Sequence, residues 1–275
     1  MIRTIVLFGL LGLSTTAWSA AEAELWPFWD ASDDTSTQAV DHRPWQLLLD
    51  EFLKPHPDGI NRLNYPGIAA GDGADRLDGY IRTLTALDPR QLSKAEQLPY
   101  WINLYNALTV QVVLGYPDKG SILRMGERLF SIGPWGDTVA TIAGEDVSLD
   151  DIEHRILRPI WQDHRIHFAV NCASLGCPNL HRQAYTAANT EQLLQEGEQS
   201  YLEHPRGVTI TGKRRVRLSS IFKWYRADFA ESEDALLENY IAAHRQDVAS
   251  LLAEGDLRVR YDYDWNLNTT EDEQR

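Results

Sequence analysis

The stretch from Ser93 to Gly115 leaves this chain the fewest alternatives. Leu98, Trp101, Ile102, Tyr105, Leu108, Val112 and Val113 recur at helical spacing and form one apolar stripe, so a core must pack against a helix here. Ser93 lies three residues before Glu96 as a capping box, and Pro117 follows Gly115 as a stop. Asn103 and Asn106 fall together beside the stripe. Asparagine is a poor helix former, so two readings stand: bonds to a neighbouring loop or active site, or a buried polar pair satisfying backbone groups.

Arg3, the apolar run Ile5 to Leu13 and the small residues Ala17 and Ser19 read as a secretory signal peptide over residues 1–19. The run is too short for a permanent membrane span, so an exported protein is expected, periplasmic or extracellular. Residues 20–43 are acidic and read as a flexible leader, with Trp26, Phe28 and Trp29 expected to dock on the domain rather than to contact a ligand. Residues 44–268 read as a single globular domain and 269–275 as a charged tail. The formal charge of −14 repels nucleic acid and anionic lipid, leaving a peptide or small molecule as the expected partner. No cofactor is implied, and oligomeric state is not written in the pattern.

Leu48, Leu49, Phe52 and Leu53 suit one helix face, and Tyr65 to Gly73 reads as a loop. Hairpins are expected for Thr138 to Ile142 with Val147, and for Val208 to Thr211 with Val216 to Leu218. Between them, Ser148 caps a helix from Leu149 to Leu157 that Pro159 ends, with His154 and Arg158 on one face. Leu257 to Tyr263 alternates as a last strand. The expected class is α+β, an antiparallel sheet packed with several helices.

The chemistry concentrates in RIHFAVNCASLGCPNL, Arg165 to Leu180, which holds both cysteines. Ile166, Phe168 and Val170 alternate with His167, Ala169 and Asn171, a strand pattern that delivers Cys172 to a tight turn. Three readings compete. Cys172 and Cys177 form a disulfide in a noncatalytic cell-envelope binding or scaffold domain. Alternatively Cys172 is a nucleophile, with His154 or His167 as base, Asn103, Asn106 or Asn171 as orienter, and amides of the Ala173 to Gly176 turn as an oxyanion hole. His167, Cys172, Cys177 and His181 have zinc-like ligand types, but their spacing is looser than paired motifs, and no metal is expected.

The blocks YWINLYNALTV (100–110), LDDIEHRILRP (149–159), HFAVNCASLGCP (167–178), IFKWYRADF (221–229) and the YDWNLN run beginning at Tyr263 resemble the domain of unknown function 547 family. The resemblance implies an exported bacterial domain with cysteine at Cys172 and histidine at His154, and with serine able to replace Cys177. Such replacement disfavours an obligatory bridge or zinc site. A papain-like or transglutaminase-like fold is a further analogy, although here histidine precedes cysteine. The resulting expectation is a thiol hydrolase or acyl transferase acting on peptide or amide-like bonds. Cys172 attacks, His154 takes its proton, and Asn106 or Asn103 orients the imidazole.

Overall fold

The computed structural model describes residues 22–126 and 133–270, so the expected signal peptide and most of the charged tail lie outside the described residues. Helix α1 (Arg43–Phe52) buries Trp45, Leu48, Leu49 and Phe52. A short antiparallel pairing of β1 (Leu53–Lys54) with β2 (Arg62–Leu63) leads into α2 (Tyr65–Ala70). A loop was the expectation there. Asn64 instead caps a helix by accepting from Gly67 N at 2.9 Å, and Pro66 presets its first turn.

Helix α3 (Gly73–Thr85) packs on α4 (Lys94–Leu114), the long helix foreseen from its stripe. Every residue from Tyr100 to Val110 is buried, so α4 is the centre of the fold rather than a one-faced surface helix. Its capping box does not form: Glu96 Oε2 accepts instead from Val40 N at 3.1 Å.

The hairpin of β3 (Thr138–Ile142) and β4 (Glu145–Ser148) is antiparallel. It hands the chain to α5, whose Asp151–Leu157 part is wound as π-helix and whose Arg158–Trp161 part is α-helical. The two ends of the cap are reciprocal, with Asp151 N donating to Ser148 Oγ at 3.1 Å and Ser148 N to Asp151 Oδ2 at 3.0 Å. Pro159 has no N–H, so the carbonyls of His154 and Arg155 lose the donor that either helical register would supply. Glu24 N and Trp26 N fill them at 3.0 and 2.9 Å. Part of the segment expected to be a flexible leader is thus pinned to α5. Trp29 completes the docking, 1% exposed and edge-on to Trp101 at 5.2 Å.

Beyond α6 (Thr190–Glu203), β5 (Val208–Gly212) pairs antiparallel with β6 (Arg215–Ser219), and β7 (Arg258–Asp262) lies parallel to β6. Helices α7 (Ile221–Trp224) and α8 (Arg226–Phe229) follow β6. The class is α+β, but in place of the one antiparallel sheet expected the described residues form three small sheets, one of them mixed. The strand expected at Ile166 to Val170 is absent. His164–Phe168 is a 3₁₀ turn, and all six residues from Ile166 to Asn171 are buried, so their alternation does not mark two environments. Ile166, Ala169 and Val170 join the larger core around α1 to α5, while Phe168 joins a second around Tyr201, Phe222 and Tyr240. No helix among the described residues is long and apolar enough to cross a membrane.

Trp29→Ala removes a fully buried indole from the larger core and should lower the free energy of unfolding by about 3–5 kcal/mol in chemical denaturation. A loss below about 1 kcal/mol would mean that the arm does not dock in solution.

Candidate functional site

Two polar clusters lie beside α4. The first is the cysteine loop. Cys172 keeps part of its surface in solvent, whereas Cys177 is 4% exposed. Both thiols are free. Cys172 Sγ lies 3.1 Å from both Ser174 Oγ and Tyr263 Oη, and these hydroxyls lie 3.1 Å from each other. Cys172 N donates to Cys177 Sγ at 3.0 Å, which brings the second sulfur to the first. Burial would raise the Cys172 pKa, but the Cys177, Ser174 and Tyr263 donors outweigh it and hold the thiol below its ordinary range. Cys177 goes the other way, pushed up by burial and by its neighbour. The Tyr263 phenol is also driven well up by burial and by the cysteine pair, so it stays a donor.

The loop owes its shape to amides. Asn106 accepts from Asn171 N at 2.8 Å and donates to Ala169 O at 3.0 Å, while Asn103 bonds both the N–H and the C=O of Tyr185. Neither carboxamide touches an imidazole, and the reading of the pair as satisfying buried backbone is the one the geometry supports. Asn171 folds its oxygen onto Ala173 N at 2.9 Å and donates to Pro178 O at 2.7 Å, shaping the turn in which Ala173 takes a left-handed φ of 59°. Leu175 N and Gly176 N donate to Asn266 O and Asp264 O at 2.8 Å, and Cys177 N to Ser174 O. The expected oxyanion hole of turn amides therefore shrinks to Ser174 N–H, the turn amide that finds no acceptor among the described residues. Gly176 is required at its position, because a Cβ there would stand 2.7 Å from Asp264 N.

The second cluster gathers the histidines. Arg158 clamps Asp228 through Nε at 2.7 Å and Nη2 at 3.1 Å, and His167 Nε2 meets the same carboxylate at 2.6 Å. Arg158 Nη1 lies 3.1 Å from His154 Nδ1. A guanidinium only donates, so Nδ1 accepts and the neutral ring carries its proton on Nε2, which faces Asp150 Oδ1 at 3.7 Å. Burial pushes the His154 pKa down, against the pull of Glu153 and with the help of Arg158. Glu153 is held low despite burial by His154, His167 and Arg158, and it accepts from Tyr105 Oη at 3.0 Å. The Tyr225 ring stacks on His167 at 4.2 Å and lies 5.7 Å from His154.

His154 and Cys172 are not hydrogen-bonded to each other, and a neutral His154 with its acceptor nitrogen occupied is a donor at Nε2 rather than a base. His167 is spent on Asp228. An aromatic rim links the clusters: Tyr263 touches Trp224 and Trp265, Trp265 touches Trp135, and Trp135 O accepts from Asp150 N beside His154. Tyr263 and Trp265 also line an open groove of about 430 Å³. His181 pairs with Glu196 at 3.5 Å, away from His167, and no metal-binding group of His, Cys, Asp or Glu is gathered among the described residues.

Residues 89–202 match the family model described as "Protein of unknown function, DUF547". The match supports the family resemblance carried by the sequence blocks. It contains α4 with both asparagines, the His154 helix, the cysteine loop and most of α6. Tyr225, Asp228 and Tyr263, which finish both clusters, lie beyond the DUF547 match. Their signals were the IFKWYRADF and YDWNLN blocks, which carried the family resemblance but gave these side chains no role. No curated protein and no solved structure matches the chain.

Asp228→Asn leaves Arg158 and His167 without their shared anion and should cost about 2–4 kcal/mol of stability at pH 7 in chemical denaturation. His167 and Arg158 depress the Asp228 pKa despite its burial, so its contribution is complete above the unfolded value of about 3.9 and fades as pH falls through the folded one. The gap between wild type and variant should therefore narrow below about pH 4, and a gap that widens on acidification would contradict this assignment.

Proposed function

We propose that the protein is an exported cysteine-dependent hydrolase or acyl transferase acting on peptide or amide-like bonds, with Cys172 as nucleophile. The observation that carries this reading is the surroundings of the sulfur: two hydroxyls at 3.1 Å and a neighbouring thiol, all able to donate to a thiolate. In the triangle of Sγ, Ser174 Oγ and Tyr263 Oη, a sulfur that has lost its proton to solvent can accept from both hydroxyls. In this reading the hydroxyls, rather than a histidine, stabilise the thiolate. It attacks a carbonyl carbon, and the C–S bond forms as the C=O electrons move to oxygen. Collapse breaks the C–N bond as the leaving nitrogen takes a proton from solvent, and water or an acceptor amine later opens the thioester and returns Cys172 as thiolate.

Ser174 N–H and the His154 Nε2–H are the donors this reading assigns to the developing oxyanion or the leaving group, in place of the base first expected of His154. Asn106 and Asn103 act through the backbone they hold. His167, Asn171 and Cys177 support the site without touching substrate. A distant papain-like or transglutaminase-like kinship belongs to the same proposal.

Iodoacetamide should alkylate Cys172 near neutral pH with a rate midpoint below the ordinary thiol value of about 8.5. Tyr263→Phe and Ser174→Ala should each move that midpoint upward, and a panel of acyl-transfer activity probes should label wild type but not Cys172→Ala. A midpoint in the ordinary range, unmoved by both variants, would overturn the proposal. Native protein with no free thiol would favour the noncatalytic scaffold with Cys172 and Cys177 bridged.

A further inference from the structure

The thiolate reading uses Cys177 only as a supporting donor, yet this second thiol sits directly against Cys172. Its sulfur sits 3.0 Å from Cys172 N and is the first group lowering the Cys172 pKa, while the surrounding fold keeps it 4% exposed. Its other polar neighbour is Val170 O at 3.8 Å. One cysteine thus keeps part of its surface in solvent and is biased toward thiolate, and a second is shielded and held against the first. The connecting turn is already bent by the left-handed Ala173 and the Asn171 bond to Ala173 N. These are the parts of a peroxide-sensing pair, with an attacking and a resolving thiol.

We propose that Cys172 is a site of oxidation by hydroperoxides, and that Cys177 resolves the product to an intramolecular disulfide that switches the nucleophile off. The inference rests on the same thiolate as the acyl-transfer reading but not on acyl transfer itself. In the first step the Cys172 thiolate attacks a peroxide oxygen: the S–O bond forms, the O–O bond breaks, and the leaving alkoxide or hydroxide takes a proton from solvent. Cys172 becomes a sulfenic acid. In the second step Cys177 gives up its proton and attacks the Cys172 sulfur; the S–S bond forms, the S–O bond breaks, and hydroxide leaves with that proton as water. In sum, two thiols and one hydroperoxide give a disulfide, an alcohol or water, and one further water. A thiol reductant reverses it.

The same five-residue turn explains why the bridge is a switch rather than a staple. So short a loop gains little from closure, so the reduced form is not heavily penalised. Bridging also withdraws the thiolate charge from Ser174 and Tyr263, and with it the arrangement that favours nucleophilic attack.

The test uses the full exported chain, reduced and freed of reductant, then given one equivalent of hydrogen peroxide, quenched with N-ethylmaleimide and weighed intact. The expected result is loss of both alkylation sites, a mass lower by two hydrogens, and recovery of both sites with dithiothreitol. Cys177→Ser should stop at the sulfenic acid, trapped by dimedone on Cys172, and Cys172→Ser should not react. Wild type that keeps both alkylation sites, or that gives sulfinic acid on Cys172 with Cys177 still free, overturns the proposal. A bridge that resists dithiothreitol in the native protein also overturns it. Peroxide response with no labelling by acyl-transfer probes would sink only the preceding reading.

Discussion

The carboxamide of Asn106 holds the site together. It stands on a helix turn where every neighbour from Tyr100 to Val110 is buried, and it takes one N–H and one C=O from the chain on either side of Val170. Those are the bonds a partner strand would otherwise supply. Left unmade at this depth, each would cost about 1–3 kcal/mol, so the side chain substitutes for a sheet edge. Asn103, one turn earlier, does the same for Tyr185. The loop between these anchors bears Cys172 and Cys177, and the C-terminal run from Asp264 to Asn268 braces it from its other side through Ala173, Leu175 and Gly176. The Cys172 sulfur, on an irregular loop, is thereby placed as firmly as one on a strand.

A second backbone deficit organises the other cluster. Pro159 deprives His154 and Arg155 of their carbonyl partners, and the N-terminal arm answers with Glu24 and Trp26. The side chain of Arg155 then lies over the Trp26 ring at 4.4 Å, while Arg158, one turn on, reaches inward to Asp228. One helix therefore fastens the arm on its outer side and fixes the His154 tautomer on its inner side. The wide turns of Asp151–Leu157 let Glu153 and His154, neighbours in sequence, both reach the buried cluster.

Local elements were legible in the chain wherever a single face decides the answer: α1, the two hairpins, the Ser148 cap and the last strand. The failures share a cause. Ile166, Phe168 and Val170 alternate with His167, Ala169 and Asn171, but all six are buried, with the polar ones bonded internally, so period two carried no information about solvent. His154 was expected to take the Cys172 proton, yet which nitrogen of that ring is available depends on Arg158, and hence on an aspartate far along the chain. Tyr263 was seen only as the edge of a strand. Nothing local announces that its hydroxyl will meet a sulfur ninety-one residues earlier.

The division of labour between the two clusters follows from charge. A Cys–His ion pair would place an imidazolium beside Arg158, which already pushes the His154 pKa down. Forming that cation would mean adding like charge to a buried guanidinium, with Glu153 and Asp228 already committed to His167 and Arg158. Neutral donors carry no such cost. In the proposed reading Ser174 and Tyr263 stabilise a sulfur anion through hydroxyls at 3.1 Å, and the Tyr263 phenol, driven well up by burial and the cysteine pair, stays a donor. In the reading proposed above, the sulfur is held ready by hydrogen bonds, and His154 offers a hydrogen bond rather than removing a proton.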